Sequence, residues 1–226
     1  MSEAQEVIMR RIREALKVVA PKPHFKSDPV GNASAQTAKP WLPDGGETPA
    51  ARLQLLTENL AKLKATLICV PTQAEANQAL QQIAQTKNWQ KVAYHAHPLV
   101  SPAAEGLSCS KWEVTSSFEK QKLEGCDAGI TSCEAIVAQL GSILVSSASS
   151  GGRSLSILPH VHVVIATTEQ IVPDLESCFQ DMLATHGKKL PSMLSFITGP
   201  SRTGDIERIL VLGAHGPKEL YVILIG

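Results

Sequence analysis

The chain has 226 residues, 43% of them hydrophobic but only 4% aromatic, which suits an aliphatic core in one α/β domain with appendages or in two small domains. Its 21 basic side chains balance 21 acidic ones, so no basic field draws it to nucleic acid or to an anionic membrane surface. No apolar run approaches the roughly 18 to 20 residues that cross a bilayer, and the polar start Met1-Ser-Glu-Ala-Gln-Glu6 is unlike a secretory signal. A cytoplasmic location is the expectation. The five cysteines, Cys69, Cys109, Cys126, Cys133 and Cys178, contain no Cys-x-x-Cys pair, the close spacing that clusters and structural zinc sites use. Ordinary buried thiols are expected for most of them.

In chain order, 2–19 reads as a helix, with Val7, Ile8, Ile12, Ala15, Leu16 and Val19 at helical spacing and charges opposite. Such a helix packs either on its own domain or on a partner, including a symmetry mate in a homo-oligomer. Residues 20–50 hold six prolines and few apolar side chains and read as a linker. The domain proper is then expected over 51–226. A helix is expected over 51–63, a strand over 65–70, a helix over 73–86 and a strand over 91–94. That alternation predicts a βαβ unit and a parallel sheet. His95 and His97 follow the last of these strands; two histidines could ligate a metal, but no third ligand stands near.

From 99 to 123 only short helices around Pro102 and Glu119 are legible. Strand 142–146 runs into Ser147-Ala-Ser149-Ser-Gly151-Gly152-Arg153-Ser154. A strand feeding such a turn can offer backbone N–H groups to an anion, with Arg153 adding bidentate recognition; it can equally be a plain flexible turn, and no standard nucleotide fingerprint is present. Strand 161–166 carries His162, better read as a satisfied core group than as a ligand, while His160 stands at the strand mouth. A helix is expected over 172–186 with Pro173 in its first turn. Strands at 193–197 and 221–225 complete the series.

Between those two strands lies the densest concentration of glycine, proline and polar groups: Gly199-Pro-Ser201-Arg202-Thr203-Gly-Asp205-Ile-Glu207, then Gly213-Ala-His215-Gly-Pro217. Polar loops between buried strands are where open α/β sheets place ligands. The second glycine comes one place late for a hydrolase nucleophile elbow, and spacing alone cannot assemble Ser201, His215 and Asp205 into a triad. Asp205 and Glu207 share a face if the segment is extended; at a helix start, Thr203 or Asp205 would cap it.

Two stretches carry a family resemblance: Gly199-Pro-Ser-Arg-Thr-Gly-Asp-Ile-Glu207, and Leu212-Gly-Ala-His-Gly-Pro-Lys-Glu-Leu220. They resemble the terminal signature of the LUD domain family of lactate-utilisation protein C. Cys133 to Ser142, Ser150-Gly-Gly-Arg153, Leu158-Pro-His-Val-His162 and Ile171-Val-Pro-Asp-Leu175 follow the order of that family. The resemblance is specific over about 125–226. It implies the fold of sugar-phosphate isomerases and CoA transferases, a mostly parallel open sheet with helices on both faces. It also implies membership of a three-protein system oxidising L-lactate to pyruvate, in which iron–sulphur clusters sit in the partner subunits and no cofactor in this chain. Where the family often has an acid and a threonine before Gly141, this chain has Gln139 and Leu140, so any role of that acid would fall to Glu134 or vanish.

The resulting expectation is a non-redox subunit in which the 147–154 and 199–207 loops converge over the carboxyl ends of neighbouring strands. Arg153 and Arg202 would hold a small anionic ligand, with Ser149, Gly151, Gly152, Gly199, Ser201 and Thr203 around it. Glu134, Asp205 and His215 would be the proton-transfer groups. Two alternatives stand beside it: a stand-alone enzyme acting on a CoA ester, sugar phosphate or folate, and a purely structural or regulatory binding subunit.

Overall fold

The computed structural model describes residues 3–15, 17, 43–115, 119–148, 151–152, 154–187, 189–204, 210–213 and 215–226. The chain divides into two compact units, Met1–Leu42 and Pro43–Gly226. In the first, α1 (Glu3–Ala15) realises the amphipathic pattern, with Val7, Ile8, Met9 and Ile12 all exposed. Most of the expected linker lies outside the described residues.

The second unit opens with α2 (Pro49–Leu63). Thr48 caps it, accepting the Ala51 N–H at 3.2 Å, and Pro49 occupies the first turn, where a missing N–H costs nothing. Lys64 ends it in the left-handed conformation. Then come β1 (Thr66–Val70), α3 (Gln73–Thr86), β2 (Lys91–Tyr94), α4 (Ser101–Glu105), β3 (Ser110–Glu113), α5 (Lys120–Glu124) and β4 (Ala128–Thr131). After β5 (Ala135–Val137) and β6 (Ser142–Ser146) the chain crosses the sheet into β7 (Val161–Thr167). A single 3₁₀ turn (Thr168–Gln170) leads to β8 (Ile171–Val172), α6 (Leu175–His186) and β9 (Leu194–Ile197). The hairpin β10 (Arg202–Gly204) and β11 (Leu210–Leu212) precedes the last strand, β12 (Glu219–Ile225).

The main sheet has six strands in the order β1-β12-β7-β4-β2-β3, every pairing parallel. The expected mostly parallel sheet is therefore present. One face is covered by α3 and α4, whose Leu80, Ile83, Ala103 and Ala104 pack with Ile130, Val163 and Ile223. The other face meets α2 and a second, four-stranded sheet ordered β8-β5-β6-β9, where Ile136, Ile143 and Val145 join Leu56, Leu60, Val164 and Leu224. Helices thus lie on both faces, but a small mixed sheet takes up much of the second layer.

Three local readings need correcting. The helix expected from 172 starts only at Leu175, because Ile171–Val172 pairs with β5 and Asp174 is the cap, accepting the Ser177 N–H at 2.8 Å. Strand β3 was hidden, since Ser110-Lys-Trp-Glu113 is a polar edge strand with little apolar alternation. Arg202 to Gly204 pairs with Leu212 to Leu210 in a hairpin, so Thr203 begins no helix; Asp205 and Glu207 lie outside the described residues.

The crossing segment after β6 lies so close to β4 that a methyl group at Gly129 would overlap the Leu155 carbonyl oxygen. Beside it His162 is fully buried, as the core reading expected. Its Nε2 pairs with Thr131 Oγ1 at 2.8 Å, and its Nδ1 has no hydrogen-bond partner among the described residues. Burial alone holds its pKa down to about 3. An unfolded histidine titrates near 6.5, so below that pH the unfolded chain binds a proton that the folded one refuses. Stability should fall by about 1.4 kcal/mol per pH unit from 6.5 toward 3 through this group alone. Thermal unfolding measured across that window should show the loss, and His162→Asn, which cannot titrate, should flatten it.

Candidate functional site

In a parallel sheet all strands end on one edge, and ligands settle where the chain leaves a strand in opposite directions. Here that point lies between β2 and β4: β2 pairs with β3 on one side and β4 on the other, so the chain runs outward to β3 and returns. Tyr94 and Ile130 are register partners. Just beyond them come His95 and His97 from β2, and Ser132, Cys133 and Glu134 from β4.

Glu134 is the best-organised group on this edge. Its backbone N–H donates to the Leu144 carbonyl at 2.8 Å, which locks it to the start of the second sheet. Ser146 Oγ donates to its Oε1 at 2.5 Å, while the Ala148 N–H donates to that same hydroxyl oxygen at 3.0 Å. With an N–H already on its oxygen, the hydroxyl turns its own hydrogen to the carboxylate. His186 Nε2, from the last residue of α6, lies 3.8 Å from Glu134 Oε2, beyond hydrogen-bond length but close enough for charge coupling. Both side chains keep about a fifth of their surface exposed, 18% and 21%.

On the α6 side of Glu134 a cavity of about 150 Å³ is lined by Glu169, Gln170, Cys178 and Asp181 among others. Three carboxylates there repel an anion. His95 and His97 stand at the same carboxyl edge, just past β2. Gly151 packs on His95: at φ +65 it is left-handed, and an added Cβ would stand 2.5 Å from the His95 Cβ. The His95 and His97 rings are 5.8 Å apart. Burial lowers the pKa of His97, opposed by the negative charge of Glu134. Ser132 is fully buried with an Oγ that has no hydrogen-bond partner among the described residues. Cys133 is buried beside these groups, and desolvation, reinforced by the Glu134 charge, pushes its thiol far above the usual range, so it is no nucleophile.

The other expected site residues lie elsewhere. Gly199 packs on Leu63 at the end of α2, as does Gly141. The Ser201 N–H donates to Pro217 at 2.8 Å and its carbonyl accepts from Gly213. His215 is exposed and meets Ser201 through its backbone N–H, 3.3 Å from Oγ, so this contact builds no imidazole–hydroxyl pair. Lys218, next in line, bonds the His160 carbonyl ahead of β7. All these contacts sit at the amino ends of the strands. Antiparallel β6 and β9 span the gap, with Ser142 Oγ on Thr198 at one end and the Ser147 N–H on Met193 at the other. Five residue steps of strand separate the two ends by roughly 17 Å.

The described residues of the two loops therefore lie at opposite ends of β6. Gly151 and Gly152 belong with Glu134; Gly199, Ser201, exposed Arg202 and His215 form a separate cluster; Ser149, Arg153 and Asp205 lie outside the described residues, as does the side chain of Thr203. Gln139 stands with the second group, its amide donating to the Pro43 carbonyl and its own carbonyl accepting from Asn59, and is remote from Glu134. Ser146 and His186 were missed by sequence reasoning. Ser146 had a signal, a hydroxyl on an apolar strand entering the Ser/Gly turn. His186 had none, because only the packing of α6 brings it to Glu134. Among the described residues no group of three or more His, Cys, Asp or Glu side chains is arranged for a metal ion, and no helix is long and apolar enough to cross a membrane.

Gly151→Ala should lower stability by about 1–3 kcal/mol and displace His95, because overlap adds to left-handed strain. Gly152→Ala meets nothing within 4 Å at φ +109 and should show the backbone cost alone. Paired thermal melts, with the His95 resonance as a local readout, would separate the two.

Comparison with known proteins places the chain in a lineage. The family model for the LUD domain matches residues 53–225. Lactate utilization protein C of Bacillus subtilis is 34% identical over 127 residues, 54% of this chain and 52% of that protein. The protein of the same name from Bacillus licheniformis is 33% identical over 124 residues, 53% and 52% respectively. The match thus spans about half the length of these curated relatives. A crystal structure of a DUF162 family protein from Deinococcus radiodurans superposes with a TM-score of 0.62 at 22% identity, covering 79% of this chain and 99% of that one. That likeness concerns the fold.

Proposed function

This chain belongs to the LUD domain family, and on that premise we propose that it serves L-lactate utilisation as a subunit without redox centres of its own. It holds a small anionic ligand at the carboxyl edge of the sheet, with Glu134 as the proton-accepting group. The observation that carries this reading is the chain of donors Ala148 N–H to Ser146 hydroxyl to Glu134. It keeps one carboxylate oxygen engaged and leaves the other, 3.8 Å from His186 Nε2, without a hydrogen bond among the described residues, as a positioned general base needs. The anion sits on the His95 and His97 side, since the cavity beyond Glu134 is acidic. The printed name of the curated relatives supports the metabolic assignment. Electron transfer then belongs to iron–sulphur partner subunits.

Anaerobic affinity purification from cells grown on L-lactate tests the assembly: cluster-bearing proteins should arrive in fixed proportion, and the chain arriving alone would sink the subunit reading. In the reconstituted assembly, Glu134→Gln keeps an oxygen for Ser146 to donate to, so the melt should be unchanged. Lactate-dependent dye reduction should fall about 10²- to 10⁴-fold, the usual loss with a general base. Full activity in the variant would remove Glu134 from the chemistry.

A further inference from the structure

β9 is the outermost strand of the second sheet, and half of its main chain faces outward. The Ser147 N–H donates to the Met193 carbonyl, and the register continues through Ser146 with Leu194, Val145 with Ser195 and Leu144 with Phe196. Bonded and non-bonded pairs alternate along an antiparallel ladder. Met193, Ser195 and Ile197 therefore turn their main-chain groups to β6, while Leu194 and Phe196 turn theirs away. Among the described residues nothing pairs with those outward N–H and C=O groups. Edge strands are usually blunted by charge, proline or brevity. β3 carries Lys111 and Glu113 and β8 is two residues long, whereas Leu194-Ser-Phe-Ile197 has no charge. β1 lacks charge too, but neither it nor α2 and α3 expose a large apolar side chain. Beside β9 such side chains are exposed. Phe179 on α6 is 47% exposed and stands edge-on to Phe196 with ring centres 5.7 Å apart; Leu183, one turn on, is 56% exposed. Glu176, three places before Phe179, shares their helix face. Exposed Lys189 follows the other end of the helix. The strip is apolar in the middle, acidic at one end and basic at the other, so it is complementary to itself when turned end for end.

We propose that a second copy of this chain occupies the edge, its β9 running antiparallel to the first about a twofold axis at Ser195. The Leu194 N–H then donates to the Phe196 carbonyl of the other copy, and the Phe196 N–H to its Leu194 carbonyl, which joins the two second sheets into one. The two α6 helices run antiparallel alongside. Phe179 and Leu183 of both copies are covered, and Glu176 of each faces Lys189 of the other. An exposed apolar strip beside unpaired main chain thereby finds both of the things it lacks. The interface also braces the helix that brings His186 to Glu134.

Sedimentation equilibrium of the full chain should show a dimer in the micromolar range. Hydrogen exchange should find the Leu194 and Phe196 amides protected in the dimer and fast in the monomer. Leu183→Lys changes an exposed position, so the melt should stay where it is, but it puts a charge into the buried strip and should leave the chain monomeric. Glu176→Lys should weaken dimerisation about threefold to tenfold, the worth of two exposed ion pairs. Adding Lys189→Glu to it should restore the dimer, which a merely structural role for Glu176 would not do. Ile12→Lys, on α1, should change nothing. A monomer at every concentration, a dimer whose Leu194 and Phe196 amides exchange freely, a dimer untouched by Leu183→Lys, or one abolished by Ile12→Lys would each overturn the proposal. So would a chain that stays monomeric until a cluster-bearing protein protects the same two amides, which would give the edge to that partner.

Discussion

The structure depends on the last strand of the chain being laid between two earlier ones. β12 pairs with β1 from Thr66 to Val70 on one side and with β7 from Val161 to Thr167 on the other, so β1, at the sheet edge, is joined to the rest only through it. Val222, Ile223 and Leu224 are fully buried, with Ile223 in the core under α3 and its neighbours in the core under α2. A strand buried on both faces needs an unbroken apolar run, and Tyr221 to Ile225 supplies one. Because every rung is parallel, this insertion also gathers all the strand ends on a single edge.

The second sheet adds polar side chains to that edge. β5 leaves from Glu134 and β6 returns to Ser146, so one short antiparallel excursion brings the hydroxyl back to the carboxylate from which the chain departed. The register Ala135 to Leu144 makes Ser146 the partner of Glu134's flank; a slip by one residue would turn that hydroxyl to the opposite face. The same strand keeps the glycine-rich turns apart. Gly141 and Gly199 lean on Leu63 at one end, Gly151 leans on His95 at the other.

Electrostatics at the edge follow from burial more than from net charge, which is zero. Desolvation lowers His97 and raises the Cys133 thiol. Beside them the Glu134 side chain is held by a hydroxyl and the His97 ring by an amide. Both are oriented by hydrogen bonds from within the chain.

Most of the elements, and the family, are legible in the sequence alone. The apolar period of 3.6 over Gln73–Thr86, period-independent apolar runs at Ser142–Ser146 and Val161–Thr167, and the Gly199 to Pro217 signature are local properties, readable without knowing what packs against what. Glu134, Gly151 and Gly152, named from the sequence as candidates, lie at the carboxyl edge of the sheet. The polar edge strand β3 and the hairpin β10–β11 were illegible, since both lack the alternation that marks a half-buried strand. Only the tertiary structure decided which polar residues meet. His186 reaches Glu134 from 52 residues away in sequence along a helix that gives no sign of it, and Ser201 and His215 are parted from Glu134 by the length of β6. Distance along a chain fixes neither distance in space nor the face a side chain presents; strand register and parallel pairing do.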